Sequence, residues 1–365
     1  MRALLLVASL IALSTSPPHS LKQPVRISIA RLTHDHVHWV FGRPDRGDIE
    51  VVGIYEPDHA LRERYATRYG LDRSLFFDDL ETMLDVARPE AVAAFGSIRE
   101  HLSVVEAAAP RGIHVMVEKP LAFETADAMA IRALSEEHGI HVLTNYETTW
   151  YASTYAAGAV VGRGELGDLR KIVVHDGHEG PKEIGISDEF LEWLTDPAEN
   201  GGGALIDFGC YGANLITWLM NGAEPLSVTA VTQRIKPEVY PRVDDEATII
   251  LEYPHAQGIV QASWNWPFSR KDMEIYGTSG YAIAPDGSNL RIRTGAGEAS
   301  TELERREYPH DDPISYLAAV VRGELKISDT DLSSLANNVI VVRILDAARQ
   351  SAATGRTIEF KTPRR

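Results

Sequence analysis

Cysteine is nearly absent: Cys210 is the only one in 365 residues. A single thiol excludes an internal disulfide, a Cys-based zinc site and an iron–sulfur cluster. Basic residues are also outnumbered, 36 Lys plus Arg against 52 Asp plus Glu, for a formal net charge of −16. A nucleic-acid groove or an anionic membrane surface would repel such a chain, so neither partner is expected and small-molecule chemistry becomes the default. Long apolar runs are missing too. The run at the start, Ala3 to Leu13, has eleven residues, whereas a membrane-spanning helix needs about 20. What remains is ordinary globular composition, 44% apolar, in a chain long enough for two domains of roughly 100 to 200 residues each.

Arg2, the apolar run and the small residues before Pro17 and Pro18 have the shape of a Sec-type export signal over residues 1–20. An apolar N-terminal helix or uncleaved anchor competes with it, because no Ala-x-Ala site is present. No cysteine follows the run and there is no twin arginine. A cleaved leader implies a periplasmic or secreted protein with no membrane attachment.

Strands and helices alternate from Val25 onward. Apolar strands at Val25–Ala30, Glu50–Tyr55, Ala91–Phe95, His114–Val117 and His141–Thr144 are separated by helical segments. That pattern predicts an α/β domain over 24–145, an open, doubly wound parallel sheet with helices on both faces. After Asn145 strands follow one another, at Lys171–His175, Ser227–Ile235, Glu246–Tyr253, Gly258–Trp266, Asp272–Gly277 and Leu290–Arg293. A second α+β domain over 146–365, with a large and mostly antiparallel sheet, is predicted.

The first strand-to-helix turn lacks the glycines that a dinucleotide-binding sheet normally carries there. It reads Ala30-Arg31-Leu32-Thr33-His34-Asp35-His36. Phosphate is held by backbone N–H groups and a helix N-terminus, so binding can survive the loss. Glu56, at the end of the second strand, is placed to accept from an adenosine ribose, which favours NAD over NADP. The competing reading is a solvated acid opening the next helix. His34, His36 and His38 share one face only in a strand and sit at a helix start, so no metal site is expected; His34 or His36 is placed near the pyrophosphate.

Glu118-Lys119-Pro120 ends an apolar strand with an acid, a base and a chain-breaking proline. At the carboxyl end of a parallel strand these side chains face the ligand crevice, where a lysine can serve a reacting oxygen. A surface ion pair is the alternative. In the second half, Gly201-Gly202-Gly203 precedes Asp207 and Tyr211, i and i+4 on a helix starting near Ala204, with Asn214 at i+7. A phenol near a lysine ammonium has its ionised form favoured. Glycines there allow close backbone approach.

These pieces resemble the glucose-fructose oxidoreductase/inositol dehydrogenase/MocA family of nicotinamide-dependent sugar and cyclitol oxidoreductases. Glu118-Lys119-Pro120 with His101 upstream, and Gly-Gly-Gly-Ala-Leu-x-Asp-x-Gly-x-Tyr, carry the resemblance, supported by Gly164-Glu165-Leu166-Gly167-Asp168 and Tyr276-Gly277-Thr278-Ser279-Gly280. It implies that Glu118 contacts the nicotinamide ribose, Lys119 binds the reacting hydroxyl and Asp207 positions both. Tyrosine at 211, where most members have histidine, is similar to the glucose-fructose oxidoreductase branch, whose members are exported with nucleotide bound. The glycine-free turn and the absence of an arginine after Asn145 depart from the pattern.

The reading is therefore an exported oxidoreductase for a sugar-like CH–OH group. Lys119, Asp207 and Tyr211 are catalytic, with Lys119 and Tyr211 handling the proton. Ala30, Leu32, Thr33, His34, His36, Glu56, Gly96, Ser97, His101, Glu118, Lys119 and Asn145 hold the cofactor, NAD rather than NADP. Trp150 and His178 join Lys119, Asp207 and Tyr211 around the substrate; Tyr151 and the strand-end group His175, Asp176 and Glu179 are further candidates, and Trp264 with Trp266 offers either stacking or core packing. A dimer or tetramer is expected. A redox-neutral cycle of oxidation, elimination or epimerisation, and hydride return uses the same parts. A non-catalytic binding protein would need no Lys119.

Overall fold

The computed structural model describes residues 23–360, and the leader expected over residues 1–20 lies outside them. Six strands, β1 (Val25–Ala30), β2 (Ile49–Tyr55), β3 (Phe76–Phe77), β4 (Ala91–Ala94), β5 (His114–Glu118) and β6 (Val142–Asn145), pair in parallel in the order β3-β2-β1-β4-β5-β6. β4 and β6 are buried at every residue, as strands covered on both faces must be. Ala94, Val115 and Val117 feed one core, and Ile27, Ile29 and Met116 feed the opposite one. Strand order reverses between β1 and β4, so a crevice opens beyond their carboxyl ends. The doubly wound Rossmann sheet is as expected.

The second sheet has nine strands, β7 (Leu169–Gly177), β8 (Ser227–Gln233), β9 (Glu246–Glu252), β10 (Gln257–Ser263), β11 (Arg270–Gly277), β12 (Tyr281–Ala284), β13 (Asn289–Thr294), β14 (Gly297–Glu302) and β15 (Ile358–Glu359). Their order is β14-β13-β12-β11-β7-β10-β9-β8-β15, antiparallel throughout except for β7 beside β10. Helices Gly209–Leu219 and Leu335–Thr354 pack with its inner face in one core. The alternation of strand side chains sends Ile172 and Val174 of β7, Val260 and Ala262 of β10, and Met273 and Ile275 of β11 into that core.

Three features go beyond the sequence reading. Helix Pro313–Val321 adds Ile314, Tyr316 and Leu317 to the core holding Ile27, and Val339 and Val342 of the last helix join the other, so C-terminal helices complete the first domain. β3, β12, β14 and β15 were too short or too polar to show a period. The single helix expected from Ala204 is broken at Phe208 into Ala204–Asp207 and Gly209–Leu219. The three glycines before it are there for close approach: a Cβ on Gly203 would lie 1.8 Å from the Asp244 carbonyl oxygen. The Asp244 carboxylate accepts from the N–H of Gly203 and of Leu205 at 3.0 and 2.7 Å, anchoring the helix start.

Candidate active site

Lys119 follows the last residue of β5, and Asp207 ends the short helix before the break. Lys119 Nζ donates to Asp207 Oδ1, and to the Asp207 carbonyl oxygen at 3.3 Å. Trp264 Nε1 donates to the other carboxylate oxygen at 3.0 Å. Lys119 is 6%, Asp207 5% and Trp264 0% exposed, so the pair is dry and both carboxylate oxygens are taken. Burial opposes both charges, but mutual attraction outweighs it: Asp207, with Cys210 and Glu118, holds the Lys119 ammonium above its ordinary range, and Lys119 holds the Asp207 carboxyl below its own. Lys119 therefore rests as a proton donor.

Tyr211 lies beside this pair, fully buried, with Lys119 Nζ 5.4 Å and Lys271 Nζ 4.8 Å from its ring centroid. The expectation of a lysine-activated phenol is corrected here. Burial comes first, and the negative charge of Glu147 adds to it, so the phenol's pKa is raised well above its ordinary value. Tyr211 stays neutral beside the Lys119 ammonium.

Lys271 was not foreseen. It donates to Glu147 Oε2, while Tyr151 donates to Glu147 Oε1 at 2.6 Å. Burial works against the Glu147 charge, but Lys271 and Tyr151 bring its carboxyl down to about 2. His178 Nδ1 accepts from the Gly180 N–H at 2.9 Å, so the neutral ring carries its proton on Nε2. Burial, opposed by Asp207 and aided by Lys271 and Lys119, lowers His178 to about 4. A groove of about 660 Å³ is lined by Glu147, Tyr151, His178, Lys271 and Asp286, which makes His178 and Tyr151 substrate candidates as expected. The alternation that puts Met273 and Ile275 inward also points to Lys271, a signal the sequence held.

The nucleotide end lies at the carboxyl edge of β1, β2 and β4. Arg31 adopts φ +70°, the left-handed conformation a glycine would supply, so the turn keeps its shape without glycine. Its guanidinium lies 2.6 Å from Glu56 Oε1 and 2.9 Å from Glu100 Oε1. Gly96 lets it pass, since a Cβ there would be 2.9 Å from Arg31 Cγ and 2.3 Å from Glu100 Oε2. Glu56 is fully buried and accepts from the N–H of Leu32 and Asp58 at 3.0 and 3.1 Å. Burial nonetheless leaves its carboxyl above the ordinary value, Arg31 and those N–H groups opposing. A cavity of about 340 Å³ opens here, lined by Arg31, Thr33, Glu56 and Ser97.

The backbone N–H groups expected to cradle phosphate are already used. Those of Thr33 and His34 both donate to the Phe95 carbonyl, and that of His36 to His34 Nδ1. The Ser97 hydroxyl is engaged as well, donating to Glu199 Oε2 at 2.7 Å, so phosphate recognition falls to the Arg31 guanidinium. With that change the residues fit a nicotinamide dinucleotide: an acid at the end of β2, a cation over the switch point, and Glu118, Asn145 and Lys119 at the other end.

His34 and His36 lie beside Glu118, at the end of β5. His36 Nδ1 is 3.0 Å and His34 Nε2 3.9 Å from Glu118 Oε2, and Asn145 Nδ2 donates to Glu118 Oε1 at 2.7 Å. Three possible ligand atoms thus lie within 4.8 Å of one another. His34 Nδ1, however, accepts a backbone N–H, which leaves the ring proton on Nε2, the atom a metal would need. Hydrogen bonding to Glu118 accounts for the cluster.

Other expected contacts do different work. His101, fully buried and lowered to about 4 by burial, bonds the Leu121 carbonyl at 3.2 Å and steadies the turn after Lys119, so it positions that lysine and does not reach the crevice. Trp150 Nε1 donates to Asn145 Oδ1 at 3.0 Å, and Trp150 lines a cavity of about 370 Å³ with Glu147 and Tyr151. Ala30 and Leu32 are core residues at the turn. Asn214 donates to the Leu332 carbonyl and Asn338, joining two helices. His175 pairs with Asp272 at 2.8 Å, and Trp266 packs with Arg270.

A two-domain dinucleotide oxidoreductase is the class this fold and site define. Residues 29–146 match the model of the oxidoreductase family with an NAD-binding Rossmann fold, and 155–283 match the GFO/IDH/MocA C-terminal domain. The chain belongs to the Gfo/Idh/MocA oxidoreductase family. It is 25% identical over 320 residues to trans-1,2-dihydrobenzene-1,2-diol dehydrogenase of Oryctolagus cuniculus, covering 84% of this chain and 91% of that one. It is 23% identical over 341 residues to 1,5-anhydro-D-fructose reductase of Ensifer adhaerens, covering 89% and 95%. The inositol dehydrogenase homolog of Azotobacter vinelandii, solved with NAD+, superposes with a TM-score of 0.81 at 19% identity, over 93% of this chain and 98% of that one.

Proposed function

We propose that this chain is an exported, NAD-dependent oxidoreductase that moves a hydride to or from a carbinol carbon of a sugar or cyclitol, with its cofactor held between turnovers. The buried Lys119–Asp207 pair carries this reading, because two dry charges with both carboxylate oxygens engaged are costly to keep unless the ammonium serves a reacting oxygen. Bound nicotinamide supplies the hydride acceptor or donor. In reduction, Lys119 gives a proton to the carbonyl oxygen as it becomes an alcohol; in oxidation the neutral Lys119 amine takes the hydroxyl proton. Asp207 holds Nζ in place through both, and Trp264 holds Asp207. The His178 Nε2–H and the Tyr211 ring shape the approach, with the groove above Lys271 receiving the rest of the substrate.

NAD is favoured over NADP because seven carboxylates, Glu56 and Glu100 among them, share the nucleotide cavity with the single cation Arg31. Slow release is supported by the segment that crosses the phosphate turn. Phe190 packs on His34 with ring centroids 4.2 Å apart, the Ser187 N–H donates to Asp35, and Glu189 pairs with Arg64. Outside the cytoplasm, where free dinucleotide is scarce, such retention lets a second substrate or the same one restore the cofactor. Self-association into a dimer or tetramer belongs to the same proposal. The test is extensive dialysis followed by mixing with a sugar panel without added cofactor, while nicotinamide absorbance and products are followed. Sugar-dependent reduction that a second sugar reverses supports the proposal. Product without net cofactor change marks the redox-neutral cycle, and activity only with excess soluble NAD contradicts retention.

A further inference from the structure

On the inner face of the second sheet, β7 sends Ile172, Val174 and then Asp176 towards the helix carrying Tyr211. The first two are core residues; Asp176 is 1% exposed and neither of its carboxyl oxygens has a hydrogen-bond partner. Across the ladder, Asp176 sits opposite Lys271 of β11 and Ala262 of β10. Three apolar rows therefore run down the sheet, and at one end two of them finish in a carboxyl and an ammonium. Lys271 lies 4.8 Å from the Tyr211 centroid and Lys119 5.4 Å from the same centroid, so the phenol is the shared neighbour of both ammonium groups. Lys271 is held on its other side by Glu147. No group among the described residues hydrogen-bonds Asp176, although it lies amid Lys271, Glu147, Lys119 and Asp207, whose charges all act on it.

We propose that Asp176, backed by Lys271, is a second anchor in the substrate site, taking a hydroxyl on a carbon neighbouring the one that Lys119 serves. This rests on the proposed function and narrows it: the substrate is a vicinal diol or polyol, since a simple alcohol would leave Asp176 unmet. An unmet buried carboxyl is destabilising, and one that a ligand must satisfy gives strong discrimination against analogues lacking the hydroxyl. Burial, with Glu147 and Asp207 adding to it and Lys271 and Lys119 opposing, keeps the carboxyl protonated. It then offers one O–H donor and one acceptor, which a hydroxyl matches on both counts. The interaction is non-covalent and needs no further reactant.

Asp176→Val and Asp176→Asn test this with the full chain and the polyol found active in the sugar panel, beside its monodeoxy analogues. In wild type, one vicinal deoxy analogue should lose about 10² or more in kcat/KM. Asp176→Val should lose as much on the full polyol yet treat that analogue and the parent alike, with NAD binding unchanged. Valine continues the apolar row, so Tm should rise by about 2–4 °C; a carboxyl held for structure would make it fall. Asp176→Asn, nearly isosteric, should retain part of the discrimination. Unchanged kcat/KM in Asp176→Val, or undiminished discrimination against every deoxy analogue, would overturn the proposal. Wild type inactive on every polyol would sink the functional reading, while a fall in Tm would separately refute the account of Asp176.

Discussion

The two ends of the crevice solve the problem of buried charge in opposite ways. At the reaction end each cation has its own acid, Lys119 with Asp207 and Lys271 with Glu147, and the first of these pairs is dry. At the nucleotide end, seven carboxylates and one cation, Arg31, line the cavity of about 340 Å³; Arg31 serves Glu56 and Glu100, while Glu189 and Asp196 pair with Arg64 and Arg242, which do not line it. Balance at one end fixes protonation states; imbalance at the other makes a single guanidinium decide whether a phosphate can enter. Chemistry and nucleotide affinity should therefore be separable by mutation.

The largest effect is expected at the balanced end. Lys119→Met should slow hydride transfer by about 10² to 10⁴, the range for a lost general acid, while a titration of NAD gives wild-type affinity. Loss of both together would break the comparison.

Acid should also find the balanced end first. His101 and His178 are both lowered to about 4 from an ordinary 6.5 by burial. Each must stay neutral in the folded state, so its contribution is fully present above pH 6.5 and is lost as pH falls through about 4, on the order of 3 kcal/mol each. Thermal melts across that range should show the loss, and His101→Gln should reduce its slope.

At the nucleotide end, Arg31→Gly keeps the left-handed backbone available while removing the cation that lines the cavity. NAD should bind about 10 to 100 times more weakly, the worth of charge-assisted hydrogen bonds, with hydride transfer in the saturated enzyme unchanged. Wild type should prefer NAD over NADP, and added salt should narrow the gap by screening the acids. Unaltered NAD affinity in Arg31→Gly would return phosphate recognition to the backbone.

The smallest effect is expected for Tyr211→Phe. A phenol held neutral by burial contributes packing and one hydroxyl, so turnover should fall by about 10-fold or less, near the worth of one hydrogen bond. A loss as large as that of Lys119→Met would restore Tyr211 to proton transfer.

How much of this was legible follows the distance over which each feature is determined. Strand-helix alternation and the ends of β5 and the glycine-led helix are local, and they placed Lys119, Asp207 and Glu56 correctly on the fold. The partners of those residues are not local. Trp264 reaches Asp207 from 57 residues away and Lys271 reaches Glu147 from 124, and only sheet register sets Lys271 opposite Asp176. For the Tyr211 phenol, proximity to lysine was legible while its burial was not. The Phe208 break escaped notice because the surrounding residues are all compatible with helix. In the phosphate turn, composition showed that glycine was missing, but not that Arg31 would take the glycine conformation.

The central claim is that Asp207 keeps Lys119 an ammonium and that this ammonium supplies the proton. The direct measurement is the pH dependence of the single-turnover carbonyl-reduction step in wild type and in Asp207→Asn, with reduced cofactor already bound. With Asp207 in place, Lys119 is held above its ordinary pKa, so the wild-type rate should stay level from neutral pH into the alkaline range. In Asp207→Asn, burial is no longer offset, and the rate should fall as pH rises through a much lower apparent pKa. Identical profiles in the two proteins, or a wild-type rate that already falls near neutral pH, would contradict the account.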